Sequence, residues 1–179
     1  MPTSDPELKQ WAVRHYQRLR PAVTVDIGTG EGTYARLMRP HHHGTWVGVE
    51  AWAPYVGEFG LRDLYDRVVI ADVRHLDLHT VHHGPDLVIA GDVLEHMAAD
   101  EARVVIAKLK AWADHLLVSI PIVHYPQGPY QGNWFDAHQD HWSHQGMLDL
   151  LSPGVVDAVC GRVLGYFLWS AHSVEDGSR

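Results

Sequence analysis

Short apolar runs rich in β-branched residues alternate with longer segments whose apolar residues recur at helical spacing. The runs cover residues 23–28, 46–50, 67–72, 86–90 and 116–120. Near-continuous runs of this kind are typical of strands buried on both faces of a parallel sheet. The intervening residues 33–39, 54–64 and 99–113 have the spacing of amphipathic helices. The alternation therefore predicts an α/β fold with a doubly wound sheet and right-handed crossovers.

The two ends of the chain depart from this alternation. Residues 5–20 have the pattern of an amphipathic helix, which Pro21 would stop. Residues 121–143 form a long connection rich in Pro, Gly, Tyr, Trp and His, and a connection of this length is usually functional or disordered. Its aromatic content speaks against disorder. The remaining chain predicts one helix and two strands of an antiparallel hairpin, at residues 145–151, 155–163 and 164–171.

Composition narrows the class of protein. The 179 residues fit one domain, and a formal net charge of −8 argues against a general binder of the nucleic-acid backbone. The single cysteine, Cys160, excludes an intrachain disulfide. No apolar run approaches the ~20 residues of a membrane span, and residues 1–7 lack the features of a signal peptide. We therefore expect a cytoplasmic protein without a membrane partner.

A glycine-rich turn follows the first predicted strand and opens the first helix. It reads DIGTGEG from Asp26 to Gly32, so glycines at alternate positions leave bare N–H groups for a ligand at a helix start. The spacing departs from the dinucleotide fingerprint G-x-G-x-x-G, because position 33 is Thr. Glu50, Asp72 and Asp92 stand at or just after the ends of the next three strands. Together with Asp26 they would surround the crevice in which open α/β sheets bind ligands.

Four motifs follow one another in a familiar order. They are DIGTGEG at 26–32, VGVE at 47–50, AD at 71–72 and DLVIAGDVLEHM at 86–97. In this order they resemble the motifs of class I S-adenosylmethionine-dependent methyltransferases over about residues 22–122. The DVLEH element at 92–96 is particularly typical of the small-molecule branch of this family. The domain of this branch that the sequence resembles is of methyltransferase type 11 or type 23. After the fifth predicted strand the resemblance is looser. It is carried there by SIP at 119–121, GN at 132–133, His138 and Trp142.

The resemblance implies the class I methyltransferase fold in a single domain, residues 1–179, with a mostly parallel Rossmann-like sheet that ends in the antiparallel hairpin. The expected parts are an N-terminal helix, a cofactor-binding core, a substrate loop, and a C-terminal helix with the hairpin, at residues 1–21, 22–122, 123–144 and 145–172.

The resemblance also implies S-adenosylmethionine as the cofactor and gives roles to matching positions. The loop through Gly28, Thr29, Gly30 and Gly32 would lie along the methionine part of the cofactor. Asp26 would order that loop and approach the cofactor's amino group.

The ribose and adenine contacts would come from the ends of the second and third strands. Glu50 would bind the ribose hydroxyls, and Ala51 and Trp52 would pack near the adenine. Asp72 would accept from the adenine amino group, while the Val73 N–H would meet a ring nitrogen. Two of these residues have a purely structural alternative. Trp52 could pack in the core at the start of a helix, and Asp72 could cap the next turn.

Methyl transfer from a sulfonium needs an aligned acceptor, exclusion of water and, where necessary, removal of a proton. Asp92 completes the expected cofactor-binding set, and His96 lies one helical turn after it, over the crevice. His96 is therefore a candidate base, with a helix-start cap formed with Glu95 as the alternative. His138 and His141 are the other catalytic candidates.

The substrate loop, residues 123–144, is the expected wall of the acceptor site. Besides the two histidines, its expected contact residues are Tyr125, Tyr130, Asn133, Trp134, Phe135 and Trp142. The even spacing of His138, His141 and His144 suggests metal binding, but Gly and Pro nearby disfavour the helix that would bring these rings together. We therefore expect no metal. Alternatively, His138 and Trp142 only tie the loop to the domain.

Three functions remain in view. The leading hypothesis is a methyltransferase acting on an O or N of a small-molecule acceptor, with a homodimer left open. The second is a cofactor-binding regulator or partner protein without catalysis, because the chain has no inserted substrate domain. The third, a nucleic-acid methyltransferase, is opposed by the net charge and by GDVL at 91–94, which lacks the Pro-Pro-aromatic run that stacks a flipped base.

Overall fold

The computed structural model describes residues 5–175. Its strands are β1 (Val23–Ile27), β2 (Thr45–Glu50), β3 (Arg67–Ile70), β4 (Leu87–Gly91), β5 (His115–Pro121), β6 (Val155–Cys160) and β7 (Leu164–Ser170). Its α-helices are α1 (Lys9–Leu19), α2 (Thr33–Met38), α3 (Pro54–Glu58), α4 (Leu61–Leu64), α5 (Ala99–Lys110), α6 (His144–Leu151) and α7 (His172–Glu175). Short 3-10 helices cover Arg39–His41, Leu78–Thr80, Leu94–His96 and Trp134–Asp136.

The strands form one sheet in the order β3-β2-β1-β4-β5-β7-β6. Strand β1 pairs in parallel with both β2 and β4, so the chain winds outward first to one side and then to the other. The carboxyl ends of β1 and β4 therefore mark the switch point at which such sheets bind ligands. The prediction of a doubly wound, mostly parallel sheet is confirmed.

The C-terminal hairpin is antiparallel, as expected, and β7 lies between β5 and β6. Every residue of β7 is buried, whereas β6 is partly exposed at the edge of the sheet. The strand order follows from the apolar sequence of β7, LGYFLWS. Burying both faces of β7 removes more apolar surface from water than burying both faces of β6 would.

Two apolar cores cover the two faces of the sheet. In β4, Leu87 and Ile89 belong to a cluster with Tyr16 of α1, whereas Val88 belongs to the opposite cluster with Ile106 of α5. Adjacent residues of one strand thus enter different cores, which explains the continuous apolar runs of the sequence.

Some boundaries differ from the sequence-based expectation. The helix expected over 54–64 is divided into α3 and α4, because Gly60 between them has a left-handed φ of 62°. The first helix begins at Lys9 instead of residue 5, after Leu8 with a φ of 59°. The expectation about a signal peptide concerns residues 1–7, of which 1–4 lie outside the described part. Among residues 5–175, no helix has the length and apolar character to cross a membrane.

Candidate functional site

A cleft opens at the carboxyl edge of the sheet, beside the switch point. Eight of the expected cofactor residues line it, namely Gly28, Thr29, Gly30, Glu50, Ala51, Asp72, Val73 and Asp92. The other three, Asp26, Gly32 and Trp52, are not among its lining residues. His96 and His138 also line the cleft, whereas His141 is exposed and lies outside it.

The glycine turn is shaped by backbone conformations that side chains resist. Gly28 has a φ of 69°, and a Cβ there would lie 2.3 Å from Val93 Cγ2. Gly32 has a φ of 81° and directly precedes α2, where a Cβ would lie 2.5 Å from Leu64 Cδ1. Gly32 therefore lies at the start of α2 on the side of the turn away from the cleft, where the lack of a side chain leaves space for Leu64 of α4. Gly28 and Gly30 line the cleft.

Glu50 is the buried carboxylate at the end of β2. Its Oε2 accepts hydrogen bonds from Thr29 Oγ1 and the Gly30 N–H, both at 3.0 Å, and its Oε1 accepts from the Trp52 N–H at 2.8 Å. Burial raises the pKa of Glu50, while the backbone donors of Trp52 and Gly30 oppose that rise. The carboxylate is thus fixed against the glycine turn, and Trp52 contributes its backbone instead of its ring.

Asp26 lies beneath the turn and not in the cleft. It is almost fully buried, and Tyr65 donates its hydroxyl to Asp26 Oδ2 at 2.6 Å. Burial raises the pKa of Asp26 to about 7 despite that hydrogen bond. Asp26 therefore links β1 to the end of α4 and orders the loop from below.

Asp72 is paired with Arg74, a contact absent from the sequence-based expectation. Arg74 donates from its backbone N–H to Oδ1 at 2.9 Å and from its guanidinium to Oδ2 at 2.7 Å, and it also reaches Glu101. Although burial opposes it, hydrogen bonds from Arg74 keep the pKa of Asp72 below its usual value. Asp72 caps the following turn, as the structural alternative had it, and also lines the cleft.

Asp92 belongs to a buried polar network on the floor of the cleft. Its φ is 55°, and its Oδ1 accepts from Ser119 Oγ at 2.7 Å. Lys9 Nζ lies 3.6 Å from Asp92 Oδ2 and donates to the Tyr34 hydroxyl at 3.1 Å. The N-terminal helix α1 therefore contributes a buried cation to the strand-four end of the site.

Two histidines and a glutamate meet at the far end of the cleft. The rings of His96 and His138 have their centroids 4.8 Å apart in an edge-to-face arrangement. Burial lowers the pKa of His96 to about 4 and also lowers that of His138, so both imidazoles are neutral at pH 7. Glu95 is only 2% exposed, and burial raises its pKa well above the usual range.

Comparisons with known proteins bear on the fold. The sequence matches no protein-family model and no curated protein. The N-terminal domain of EvdMO1, crystallised in the presence of SAH and D-fucose, is similar at a TM-score of 0.68 and 13% identity over 94% of this chain and 84% of that chain. The chain has the class I methyltransferase fold.

Two further structures with the class I methyltransferase fold are named for different acceptors. The N-methyltransferase NodS from Bradyrhizobium japonicum WM9 has a TM-score of 0.62 and 13% identity, over 93% of this chain and 97% of that chain. The small RNA methyltransferase HEN1 has a TM-score of 0.67 and 15% identity, over 95% of this chain and 26% of that chain. The class I methyltransferase fold alone therefore does not identify an acceptor.

In this class I methyltransferase fold, the substrate loop crosses the cleft and docks on α3. Tyr55 of α3 donates its hydroxyl to Asp136 Oδ2 at 2.6 Å, and Asn133 Nδ2 donates to the other oxygen at 3.1 Å. Gln127 Nε2 donates to the Asp136 carbonyl at 2.7 Å. Tyr125, Gln127, Phe135, Asp136 and His138 are the loop residues that line the cleft.

The structure places the other expected wall residues away from the cleft. Trp142 is 6% exposed in the core that contains α5, because the chain turns inward just before α6. Asn133 is buried and caps the short helix Trp134–Asp136 through Phe135 N–H. Trp134 is 71% exposed, and Tyr130 forms a local bridge with Asn133. For Trp142 the alternative of tying the loop to the domain is the one observed.

Sequence reasoning missed Lys9, Tyr34, Tyr55 and Asp136, all of which contribute to or border the cleft. One of them carried a signal, since Lys9 precedes Ala12 and Tyr16 by three and seven residues and so shares the apolar face of α1. A lysine on such a face indicates a buried partner.

Proposed function

We propose that the protein binds S-adenosylmethionine in this cleft and transfers its methyl group to an oxygen or nitrogen of a small-molecule acceptor. One observation carries the proposal: the Glu50 carboxylate is fixed beside the glycine turn by the Gly30 N–H on one oxygen and by the Trp52 N–H on the other. A carboxylate in that place suits a ribose diol. The similarity in fold to a domain crystallised with SAH supports the choice of cofactor.

The remaining acceptor capacity of Glu50 suits this assignment. A carboxylate offers about four lone-pair sites, and Thr29, Gly30 and Trp52 occupy three of them. One ribose hydroxyl would take the free site, and the other would replace the Thr29 hydroxyl at a second one. On the adenine side, Arg74 keeps Asp72 in one rotamer, beside the Val73 N–H.

The reaction is an in-line displacement. S-adenosylmethionine, when bound, would supply an electrophilic methyl group to the acceptor's lone pair, and the electron pair of the broken C–S bond would stay on sulfur. The proton that the acceptor loses would pass to the neutral imidazole of His96 or His138 at the far end of the cleft. His141, outside the cleft, has no part in this step.

Calorimetric titration with S-adenosylhomocysteine tests the cofactor. The wild-type protein should bind it and should not bind NAD. Glu50→Ala should weaken binding roughly 10- to 100-fold, because a hydrogen bond to a charged group contributes about 1.5–3 kcal/mol. Glu58→Gln, on the exposed side of α3, is the matched control and should leave the affinity unchanged. Absence of binding at millimolar S-adenosylhomocysteine would overturn the proposal.

Transfer of a labelled methyl group to a broad metabolite panel tests the activity. Turnover of any small acceptor supports the enzyme. Tight binding of S-adenosylhomocysteine with no turnover, and with the Tyr55 to Asp136 contact intact, would instead indicate a cofactor-binding partner protein.

A further inference from the structure

The far end of the cleft contains a group of potential metal ligands from two separate parts of the chain. Glu95, His96 and His138 each offer one ligand atom, and these atoms all lie within 4.8 Å of one another. All three residues line the cleft. Donors bonded to one ion at 2.0–2.2 Å are separated by roughly 3–3.5 Å, so small side-chain rotations would bring them to a common centre.

Glu95 has an unsatisfied oxygen in this group. The residue is 2% exposed, and its Oε2 has no hydrogen-bond partner among residues 5–175. A buried polar atom without a partner is uncommon in folded proteins and calls for an explanation such as a bound ion. An ion bound by Glu95 and the two imidazoles would give this unsatisfied oxygen a partner.

Both rings are oriented by hydrogen bonds on Nδ1. His96 Nδ1 lies 3.3 Å from the Ala137 carbonyl, and His138 Nδ1 lies 2.5 Å from the Tyr125 carbonyl. A carbonyl can only accept, so each neutral ring carries its proton on Nδ1 and leaves Nε2 with a free lone pair. A backbone carbonyl in this position is a common outer partner of metal-binding histidines.

The backbone fixes the loop beside Glu95 independently of these side chains. The Gln139 N–H donates to the Glu95 carbonyl at 2.8 Å, and the His138 N–H donates to the Gln127 carbonyl at 2.9 Å. His138 is therefore positioned by contacts on both sides of it. These backbone hydrogen bonds hold the loop residue His138 close to Glu95 in the folded chain.

We propose that Glu95, His96 and His138 bind one divalent first-row transition-metal ion at the far end of the cleft. Two imidazoles and one carboxylate form a donor set found for zinc and for iron(II), and they leave at least one coordination position open. The open position faces the cleft that the three residues line.

The ion also narrows the class of acceptor, a step that rests on the proposed methyl transfer. An oxygen or nitrogen of the acceptor that enters the open position loses its proton more readily when bound to a dication. Acceptors with a hydroxyl or amine able to coordinate a metal should therefore be preferred. In that arrangement the lone pairs of His96 and His138 are bound to the ion, so the acceptor's proton passes to water in the cleft and not to these histidines.

Titration with Co²⁺, followed by calorimetry and by visible d–d absorption, tests the site without any turnover. To suppress binding by the exposed histidine run, all proteins carry His41→Ala, His42→Ala and His43→Ala. One Co²⁺ per chain should bind, with a spectrum that indicates nitrogen and oxygen ligands. Glu95→Gln and His138→Asn should each weaken Co²⁺ binding at least about 10-fold, since even outer partners of metal ligands contribute 10- to 100-fold.

His141→Asn is the matched control, because His141 lies three residues from His138 but outside the cleft. It should leave Co²⁺ affinity within about twofold, as the site geometry requires. Equal affinity in Glu95→Gln, His138→Asn and the parent would overturn the site, and so would the absence of any stoichiometric Co²⁺ binding.

S-adenosylhomocysteine affinity, measured on the metal-free protein, separates this proposal from the preceding one. His138→Asn should retain that affinity, which also shows that the variant is folded. Co²⁺ binding without S-adenosylhomocysteine binding would overturn the proposed function and leave the metal site standing. The reverse result would overturn the metal site alone.

Discussion

The two halves of the cleft, named the cofactor half and the acceptor half after the proposed function, are built from different contacts. The cofactor half, formed by the glycine turn, Glu50 and Asp72, is held by backbone donors close in sequence, such as the Trp52 N–H on Glu50. The acceptor half, formed by Glu95, His96 and the substrate loop, depends on contacts between residues far apart in sequence. Tyr55 and Asp136, for example, are 81 residues apart.

The difference lies in what each half needs before it can form. The cofactor half is complete once β1, β2 and β3 have paired, because its donors lie within the turns that leave these three strands. The acceptor half forms only when the loop docks on α3 and on Glu95, which carries the entropic cost of ordering a long connection. Substitutions that strain the backbone should therefore disrupt the cofactor half most. Loss of a single side-chain contact should disrupt the acceptor half most.

The same substitution should lower stability far more in the cofactor half than in the acceptor half. Gly28→Ala places a Cβ 2.3 Å from Val93 Cγ2 at a φ of 69°. Left-handed strain and overpacking together should lower the free energy of unfolding by roughly 2–5 kcal/mol and abolish cofactor binding. Gly128→Ala, in the substrate loop, meets nothing within 4 Å and should change stability little. Urea unfolding measures both.

A loss of stability in Gly128→Ala as large as that in Gly28→Ala would remove the distinction. It would mean that the loop is as tightly constrained as the glycine turn.

Asp26, below the cofactor half, should make stability depend on pH. Its pKa of about 7 in the folded protein lies above its usual value of 3.8. Between these values the folded state keeps a proton that the unfolded state has lost, so the free energy of unfolding falls as pH rises from about 4 to about 7. The limiting slope for one proton is about 1.4 kcal/mol per pH unit.

Asp26→Asn keeps an acceptor for the Tyr65 hydroxyl and removes this titration. The advantage of the variant in free energy of unfolding should grow from pH 4 to pH 7 and then stay constant. Tyr65, Glu50 and Lys9 are the titratable groups that act on Asp26, and the substitution leaves them in place. A difference between variant and wild type that is independent of pH would contradict the prediction.

The sequence predicted the two halves unequally, for the same physical reason. Strand runs, the glycine turn and Glu50 are local signals, and the structure bears out the fold that they indicate. Nothing in the spacing of aromatic residues distinguishes buried Trp142 from exposed Trp134, because their environments depend on where the loop turns inward. Likewise, the even spacing of loop histidines concealed that His138 meets His96, 42 residues away in the chain.

Tyr55→Phe should release the acceptor half while the cofactor half stays intact. The substitution removes the hydroxyl that donates to Asp136 Oδ2 at 2.6 Å and keeps the ring. A hydrogen bond to a charged group contributes about 1.5–3 kcal/mol, and only the docking of the loop should lose it. Amide hydrogen exchange in residues 123–144 should become faster by about 10-fold or more, with global stability lowered by less.

Tyr125→Phe is the control, because Tyr125 is half exposed on the same loop and contributes its carbonyl, not its hydroxyl, to the contact with His138. It should leave exchange across the loop unchanged. S-adenosylhomocysteine affinity should be nearly the same in both variants, since Glu50 and the glycine turn are untouched. If Tyr55→Phe instead accelerated exchange equally in β1 and β2, the two halves would unfold as one unit and the difference in their construction would have no energetic consequence.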